Sequence, residues 1–322
     1  MSISLFSGSD HRCTDRATIA GSGLPAPYTP ATDASISDGE RVQSLDALLP
    51  SDVARAAEGV GVAKATMRFD RLFVLGVLAG AFIALGAMFS TVVTAGGNLD
   101  PGLARLLGGV VFSLGLVLVV VAGAELFTGN NLMAIAFASG RIRLGALLRA
   151  WGVVYVANFV GAVATALIVY FSGHTRNIPG VGHRALDIAA TKTSLPFGQA
   201  ILLGVLANAL VCLAVWLAVS ARSVTDKIIA IVLPVAAFVA AGFEHSIANM
   251  YFIPTGLFLK AWAPDSFWVR SAAKPSQYPD LTWSRFFLDN LLPVTIGNVI
   301  GGAGLVALVY WYVYRRGVHE SS

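Results

Sequence analysis

Six long apolar segments constrain this chain more than any other feature of its sequence. They cover residues 70–95, 104–139, 143–171, 197–220, 227–259 and 290–313. Each provides the run of about 20 apolar residues that a helix needs to cross the hydrocarbon core of a bilayer. Because 56% of the residues are hydrophobic and only 12% are charged, a soluble globular protein is excluded. The sequence predicts an all-α membrane protein with six transmembrane helices.

The stretches outside these segments are polar. Residues 1–48 are rich in Ser, Asp, Thr, Gly and Pro, a composition that predicts a disordered cytoplasmic tail. Residues 49–68 place apolar side chains at helical spacing and predict an amphipathic helix on the inner face of the membrane, with a plain linker helix as the alternative. The transmembrane domain is then expected at 69–316 and a short cytoplasmic tail at 317–322.

Basic residues predict the orientation of the chain. An even number of spans places both termini on one side, and the short connections contain Arg141, Arg143, Arg222 and Lys227. Positive charge in short connections marks the cytoplasmic side, so both termini are expected there. The net charge of +4 has the same origin and does not indicate a nucleic-acid partner.

Segments 104–139 and 227–259 are too long for continuous helices. At about 1.5 Å per residue, a helix over 104–139 would reach roughly 54 Å, against a hydrocarbon core of about 30 Å. Both segments contain the pattern AGxExxxxN, at 122–130 and at 241–249. We therefore expect the second and fifth spans to be broken, each into two half-helices around this pattern.

Other matches relate the two halves of the chain. GVLAGAFIALG from Gly76 resembles GVLANALVCLA from Gly204, and NFVG from Asn158 resembles NVIG from Asn298. Since three spans per half is an odd number, the second half enters the membrane upside down. The sequence predicts an inverted 3+3 repeat whose interrupted helices flank a substrate path.

Three ionisable side chains lie at the predicted breaks. Glu125 and Glu244 occupy equivalent places in the two repeats, and we favour a structural role in which they accept hydrogen bonds from the broken backbone. His245 has no counterpart in the first repeat, where Leu126 takes its place. Because an imidazole exchanges a proton near neutral pH, we expect His245 to act on the substrate, with the hydroxyl of Thr128 bonded to its ring. A merely packed histidine is the alternative.

Apolar side chains near the breaks are candidates for lining a path or for ordinary packing. Phe112 and Leu116 lie four residues apart on one helical face that leads toward the first break. The other candidates are Leu126, Phe127 and Phe238.

Four long motifs make the chain resemble the formate/nitrite transporter family, and within it the bacterial formate channels. They are GAELFTGN (123–130), GVLANALVCLAVWLA (204–218), VLPVAAFVAAGFEHSIANM (232–250) and DNLLPVTIGNVIGG (289–302). The resemblance runs from about residue 48 to residue 315. It implies a homopentamer in the bacterial inner membrane, each protomer having an aquaporin-like fold and its own pore for formate and small monovalent relatives.

The resemblance also implies roles for individual residues. Leu126, Phe127 and Thr128 would form a loop that moves near the pore. Leu126 with Phe238 would form the cytoplasmic constriction, and Phe112 with Leu116 the periplasmic one. The remaining implied roles are a central site of His245, Thr128 and Asn208, a polar ligand at Asn298, an outer funnel at Lys192 and a gating helix that carries Lys64.

The free-energy costs of desolvation and of protonation indicate how a carboxylate would cross an apolar constriction. Moving a bare carboxylate into a dry constriction costs several kcal/mol, whereas protonating an acid with a pKa near 4 costs roughly 4 kcal/mol at pH 7. We therefore expect His245 to protonate the substrate transiently, so that protons are a second transported partner. The alternatives are nitrite, hydrosulfide or lactate, because Gly129-Asn130-Asn131 after Thr128 also occurs in family members that carry nitrite.

Two other classes are disfavoured. Water and polyol channels carry Asn-Pro-Ala at their breaks, and NPA does not occur in the sequence. A membrane enzyme would need a motif such as HExxH or a Ser/His/Asp order, and one intramembrane histidine cannot hold a metal alone. We therefore expect no enzymatic activity, no metal and no cofactor.

Overall fold

The structure, a computed structural model, describes residues 46–96 and 99–317. The predicted tail at 1–48 lies outside these ranges except for its last three residues, and the predicted tail at 317–322 lies outside them except for its first. All regular secondary structure within the described ranges is helical.

The helices are numbered in chain order. They are α1 (Pro50–Thr66), α2 (Phe69–Thr94), α3 (Pro101–Phe112), α4 (Leu114–Ala122), α5 (Ala134–Ala138), α6 (Leu144–Phe171), α7 (His174–Asn177), α8 (Val181–Thr193), α9 (Phe197–Ser220), α10 (Val224–Ala240), α11 (Ser246–Trp262), α12 (Asp265–Arg270) and α13 (Trp283–Tyr314). A 3-10 helix at Gly129–Met133 precedes α5, and α13 contains two wider π-helical stretches, Phe286–Leu291 and Ile300–Leu308.

Five helical stretches in the described ranges are long and apolar enough to cross a membrane. They are α2, α3 continued by α4, α6, α9 and α13. The remaining predicted segment, 227–259, is divided between α10 and α11, which have 17 residues each and are separated by residues 241–245. At about 1.5 Å per residue, neither reaches the roughly 30 Å thickness of a hydrocarbon core alone.

Glycines allow equivalent helix pairs to approach closely in the two halves. A Cβ on Gly161 of α6 would overlap the carbonyl oxygen of Val77 in α2. A Cβ on Gly301 of α13 would overlap the carbonyl oxygen of Val205 in α9. Close backbone contact provides the van der Waals packing that holds helices together in a bilayer. The matching NFVG and NVIG sequences therefore have a common packing function.

Helix α1 packs on the helical body of the protein. Its residues Val53, Ala54 and Ala57 are buried in one cluster with Ile135 and Trp216. The predicted amphipathic helix is thus present, but its apolar face is covered by protein. Periodicity shows an apolar face without showing what covers it, and the expected place of α1 at the inner face of the membrane stays a prediction.

A buried carboxylate fixes α1 at its centre. The Glu58 side chain is 2% exposed and accepts hydrogen bonds from Ser139 Oγ at 2.7 Å, Arg141 Nη1 at 3.1 Å and Arg315 Nε at 2.9 Å. Burial raises the pKa of Glu58, but the hydrogen bonds and the charges of Arg315 and Arg141 outweigh burial, so this pKa lies below its ordinary value of 4.5. Glu58 therefore joins α1 to the loop after α5 and to the end of α13.

Replacing Glu58 by glutamine loosens α1. The change leaves the buried Arg315 charge without its partner, a loss of about 3 kcal/mol in the docking free energy of α1. Hydrogen–deuterium exchange of residues 50–66 measures this docking. Because the folded-state pKa is lowered, wild-type Glu58 stabilises the docked helix above pH 4.5, and protection is lost as the pH falls through the lowered pKa.

The matched control is Asp52→Asn, which removes an acid of the same helix whose ion pair with Arg55 is exposed. Exposed pairs contribute little, so exchange should not change. Equal exchange in wild type and Glu58→Gln would contradict the proposed clamp.

Candidate functional site

The first interruption of the helical path lies between α4 and the 3-10 helix. Gly123 follows α4 with a φ of 83°, a left-handed conformation that glycine adopts without steric cost. In the loop beyond it, Glu125 N donates to Leu75 O of α2 at 3.2 Å, and Phe127 N donates to Asn158 Oδ1 of α6 at 2.9 Å. Backbone groups released by the interruption are therefore satisfied within the protein, as they must be at membrane depth.

The interruption between α10 and α11 repeats these contacts. Gly242 has a φ of 74°. Glu244 N donates to Leu203 O of α9 at 3.3 Å, and Ser246 N donates to Asn298 Oδ1 of α13 at 2.9 Å. The pattern AGxExxxxN thus coincides in both halves with the same arrangement of backbone hydrogen bonds.

Asn298 holds the second loop with its whole amide group. Besides accepting from Ser246, it donates through Nδ2 to Gly204 O at 2.8 Å and to Glu244 O at 3.0 Å, and it is completely buried. Its hydrogen-bonding capacity is used within the protein. The Asn298 side chain therefore holds the loop that carries His245, and its expected role as a polar ligand stays a prediction.

Asn158 does the same for the first loop. Its Nδ2 donates to Gly76 O at 2.7 Å and to Glu125 O at 2.9 Å, and the side chain is completely buried. The sequence comparison paired Asn158 with Asn298 but gave Asn158 no role. The NFVG and NVIG match was the signal that both asparagines serve one function.

The glutamates of the two AGxExxxxN patterns are both ion-paired, and the first pairs with a lysine of α1. Glu125 Oε2 lies 2.9 Å from Lys64 Nζ and accepts from Asn130 Nδ2 at 2.8 Å. Lys64 also donates to Asn130 Oδ1 at 2.7 Å. Glu125 therefore links α1 to the loop through side chains, whereas the sequence analysis expected it to accept from loop backbone.

Glu244 forms the equivalent group in the second half. Its Oε1 lies 2.7 Å from Lys192 Nζ of α8, and its Oε2 accepts from Asn249 Nδ2 at 2.7 Å and from Asn290 Nδ2 at 3.3 Å. Glu244 thus also accepts from side chains, whereas it was expected to accept from the loop backbone. The structure thus places Lys192 against Glu244, and the two charges compensate each other.

His245 lies at the start of α11 and is 3% exposed. Its Nδ1 accepts from Ala248 N at 3.1 Å, which caps the helix. The predicted contact with Thr128 is present, since Thr128 Oγ1 lies 2.9 Å from His245 Nε2. Because Nδ1 accepts a backbone N–H, the neutral ring carries its proton on Nε2 and donates it to Thr128.

Aromatic rings surround this histidine on one side. The Phe238 ring stacks on His245 with centroids 5.9 Å apart, and Phe112 meets Phe238 edge-on at 5.7 Å. These three residues line a cavity of about 420 Å³ together with Lys192 and Glu244. Phe112 and Phe238 therefore form an apolar wall of this cavity next to His245.

On this cavity Phe238 lies with Phe112 and not with Leu126, the residue with which it was expected to form a constriction. Helix α10 packs against α3, which brings Phe238 of the second half to Phe112 of the first. Leu116 and Leu126 are each 2% exposed and belong to the buried cluster that also contains Phe112 and Phe238. Neither leucine lines the cavity beside Lys192.

Phe127 and Asn208 are engaged elsewhere. The Phe127 ring packs edge-on against Tyr155, with centroids 4.9 Å apart. Asn208 Nδ2 donates to Asn298 O at 2.6 Å and to Asn131 Oδ1 at 3.0 Å. Neither lines the cavity beside Lys192, and the expected place of Asn208 in the central site stays a prediction.

The chemistry available here is hydrogen bonding and proton exchange within apolar walls. Thr128 and His245 provide two adjacent polar groups, and Phe112 and Phe238 exclude bulk water beside them. Within residues 46–96 and 99–317, no group of three or more His, Cys, Asp or Glu side chains is placed to hold a metal ion. The arrangement suits a small polar molecule that sheds its hydration shell.

Comparisons with known proteins agree with this geometry. The sequence profile described as "Formate/nitrite transporter" matches residues 51–312. The chain is 47% identical over 274 residues to "Formate channel FocA" of Escherichia coli strain K12, covering 84% of this chain and 96% of that protein. It is 39% identical over 281 residues to "Formate channel FocA" of Haemophilus influenzae, covering 87% and 99%.

A solved structure is also similar. The "Pentameric formate channel with formate bound" superposes with a TM-score of 0.73 at 44% identity, covering 76% of this chain and 97% of that one. The profile match, the two relatives and this structure agree with one another over most of the chain. This chain belongs to the formate/nitrite transporter family.

Proposed function

We propose that the protein is a homopentameric membrane channel for formate and related small monovalent anions. The observation that carries the proposal is the Thr128–His245 pair beside the Phe112–Phe238 contact, in a chain of this family. The similar solved structure is pentameric and holds formate, which supports the same assembly and ligand here. Transport across a sealed membrane, with no chemical turnover, is the activity.

We further propose a topology of six spans in an inverted 3+3 repeat, with both termini in the cytoplasm. In this topology α10 and α11 together form the fifth span, and the second and fifth spans are interrupted at 123–128 and 241–245. The matching loop hydrogen bonds in the two halves support it. The cavity beside Lys192 then faces the outside, and Lys64 with α1 faces the cytoplasm.

Formate would cross two apolar constrictions, an outer one of Phe112 and Phe238 and an inner one of Leu116 and Leu126. A bare carboxylate in either loses hydration worth several kcal/mol. Both leucines are buried in the same cluster as the two rings, which supports their place on the path. The place of the His245 side chain beside the Phe112–Phe238 contact supports a role for it in neutralising this charge.

The proton step begins with replacement of Thr128 by the carboxylate at His245 Nε2. A second proton, supplied by water in the cavity that His245 lines, then binds Nδ1 and releases the Ala248 N–H, because an adjacent negative charge favours the imidazolium form. Nε2 next gives its proton to the carboxylate oxygen, which leaves formic acid and a neutral ring protonated at Nδ1. Formic acid crosses the apolar constriction and releases the proton on the other side.

Replacing Phe238 by alanine should increase the leak of formate. The change removes an edge-to-face contact worth about 1 kcal/mol and widens the outer constriction. Single-channel conductance in planar bilayers with formate measures the effect. Phe69→Ala, which removes a ring that is 61% exposed on α2, is the control and should leave conductance unchanged. An unchanged conductance in Phe238→Ala would remove Phe238 from the constriction.

The proposed function is tested by uptake into proteoliposomes at two pH values. We expect concentrative uptake of labelled formate that is faster at the lower external pH, with competition by nitrite, acetate and lactate ranking the substrates. Empty liposomes are the control. Uptake of nitrite or lactate without uptake of formate would transfer the proposal to another anion of the family.

A further inference from the structure

The cavity beside His245 carries a positive charge that Lys192 does not supply. Lys192 lies 2.7 Å from Glu244, and the two side chains are 15% and 5% exposed, so their charges compensate within one buried pair. Glu244 is the one acid among the described residues that line the cavity. Two further basic residues, Arg105 and Arg184, line the same cavity and account for the remaining charge.

The Arg184 side chain is held by a hydrogen bond from one of its three nitrogens. Its Nε donates to Thr94 Oγ1 at 3.2 Å, while the Thr94 hydroxyl donates to Ser90 O at 2.8 Å. The terminal nitrogens of Arg184 have no hydrogen-bond partner within the described residues. A guanidinium held at Nε presents a rigid fork whose N–H groups match the two oxygens of a carboxylate.

Arg105 brings a second charge from another helix. It lies on α3, and its side chain forms no salt bridge with a described residue. The hydroxyl-bearing residues Ser90, Thr94 and Thr191 line the same space. Two guanidinium groups around one cavity repel each other, and an anion between them relieves that repulsion. The combination of two uncompensated arginines and neutral hydroxyls is complementary to a small monovalent anion.

We propose that Arg184 and Arg105 form an anion-binding position that holds a small monovalent carboxylate, such as formate, before it passes Phe112 and Phe238. The position rests on the proposed function and extends it. It transfers the funnel role expected of Lys192 to the two arginines, because Lys192 is used to hold Glu244 and the second break. A charged cavity with low-dielectric walls concentrates its counter-ion and accelerates entry.

The test uses Arg184→Gln, Arg105→Gln and the double variant in right-side-out vesicles, with labelled formate added outside. At about 10 mM salt, where the Debye length is about 30 Å, we expect the half-saturating formate concentration to rise about threefold in each single variant and about tenfold in the double variant. At about 1 M salt, where the Debye length is about 3 Å, the half-saturating formate concentrations of wild type and all variants should become equal. Arg184→Lys keeps the charge but not the fork, so it should restore the salt dependence and only part of the affinity for formate.

Arg270→Gln is the matched control, since Arg270 is exposed on α12 and does not line the cavity. It should behave as wild type. A double variant with wild-type half-saturation and wild-type salt dependence would overturn the anion position, and so would an equal effect of Arg270→Gln. A wild-type protein that takes up no formate under any condition would overturn the proposed function instead.

Lys192→Gln distinguishes the role of the lysine paired with Glu244 from the role of the two arginines. Because it leaves Glu244 buried without its cation, we expect a lower maximal flux with the salt dependence of half-saturation retained. A loss of salt dependence in Lys192→Gln, with none in the double arginine variant, would return the funnel role to Lys192.

Discussion

A protein with phenylalanine at position 245 should assemble normally and lose proton-coupled formate uptake, by about 100-fold or more at acidic external pH. Phenylalanine retains the size of the ring and its stacking on Phe238, whose centroid lies 5.9 Å from that of His245. It has no nitrogen to exchange a proton with the substrate. The measurement is initial uptake of labelled formate into proteoliposomes against a pH gradient, together with the oligomer size in detergent.

His245→Phe also removes a helix cap. A second variant distinguishes the effect of losing this cap from the effect of losing proton exchange. In wild type, His245 Nδ1 accepts from Ala248 N at 3.1 Å. Asparagine is a favoured capping residue and keeps this acceptor, yet it cannot exchange a proton near neutral pH. We expect His245→Asn to restore the thermal stability lost in His245→Phe without restoring uptake.

His183→Phe is the matched control for loss of a histidine. His183 lies on α8, its side chain is 46% exposed, and it does not line the cavity. Uptake should remain at the wild-type level. If His245→Asn imported formate with wild-type pH dependence, the histidine would act only as a cap, and the proton step would be wrong.

Local contacts define the two loops that contain the pattern AGxExxxxN, which is why their positions can be located in the sequence. Gly123 and Gly242 adopt positive φ, and Glu125 and Glu244 bind the asparagine five residues onward, so each position of the pattern has a partner within or beside its own loop. Contacts of this kind require the same residue types at the same spacing in both halves. A repeat in the sequence therefore corresponds to a repeat of hydrogen bonds.

Features that depend on contacts between the halves could not be predicted in this way. Phe238 meets Phe112 only because α10 packs on α3, and a linear sequence does not record that crossing. Arg105 and Arg184 carry no distinguishing motif, and in the sequence they are ordinary cations near the ends of spans. Whether a cation is free or compensated depends on its partner, which is why Lys192 was expected in the role that the arginines fit better.

Asn298 gives the second large effect, because one amide joins the second loop to α9: it accepts from Ser246 N–H and donates to the carbonyls of Glu244 and Gly204. Replacing it by leucine leaves Ser246 N–H and the Glu244 carbonyl without this partner, and it removes the added bond to the Gly204 carbonyl of α9. Each buried group costs about 1–3 kcal/mol when unpaired, so we expect a loss of about 3 kcal/mol or more in the free energy of unfolding. Thermal unfolding in detergent should show a large fall in the midpoint temperature.

The same substitution at Asn158 tests whether the two halves are energetically equivalent. Asn158 satisfies Phe127 N–H and the carbonyls of Gly76 and Glu125 with nearly the same distances, so Asn158→Leu should cost as much as Asn298→Leu. Asn177→Leu, at an exposed position that ends α7, should leave the midpoint unchanged. A small effect at one asparagine and a large effect at the other would mean that the repeat preserves geometry without preserving its energetic role. Equal losses would mean that each interruption depends on a single amide from the neighbouring helix.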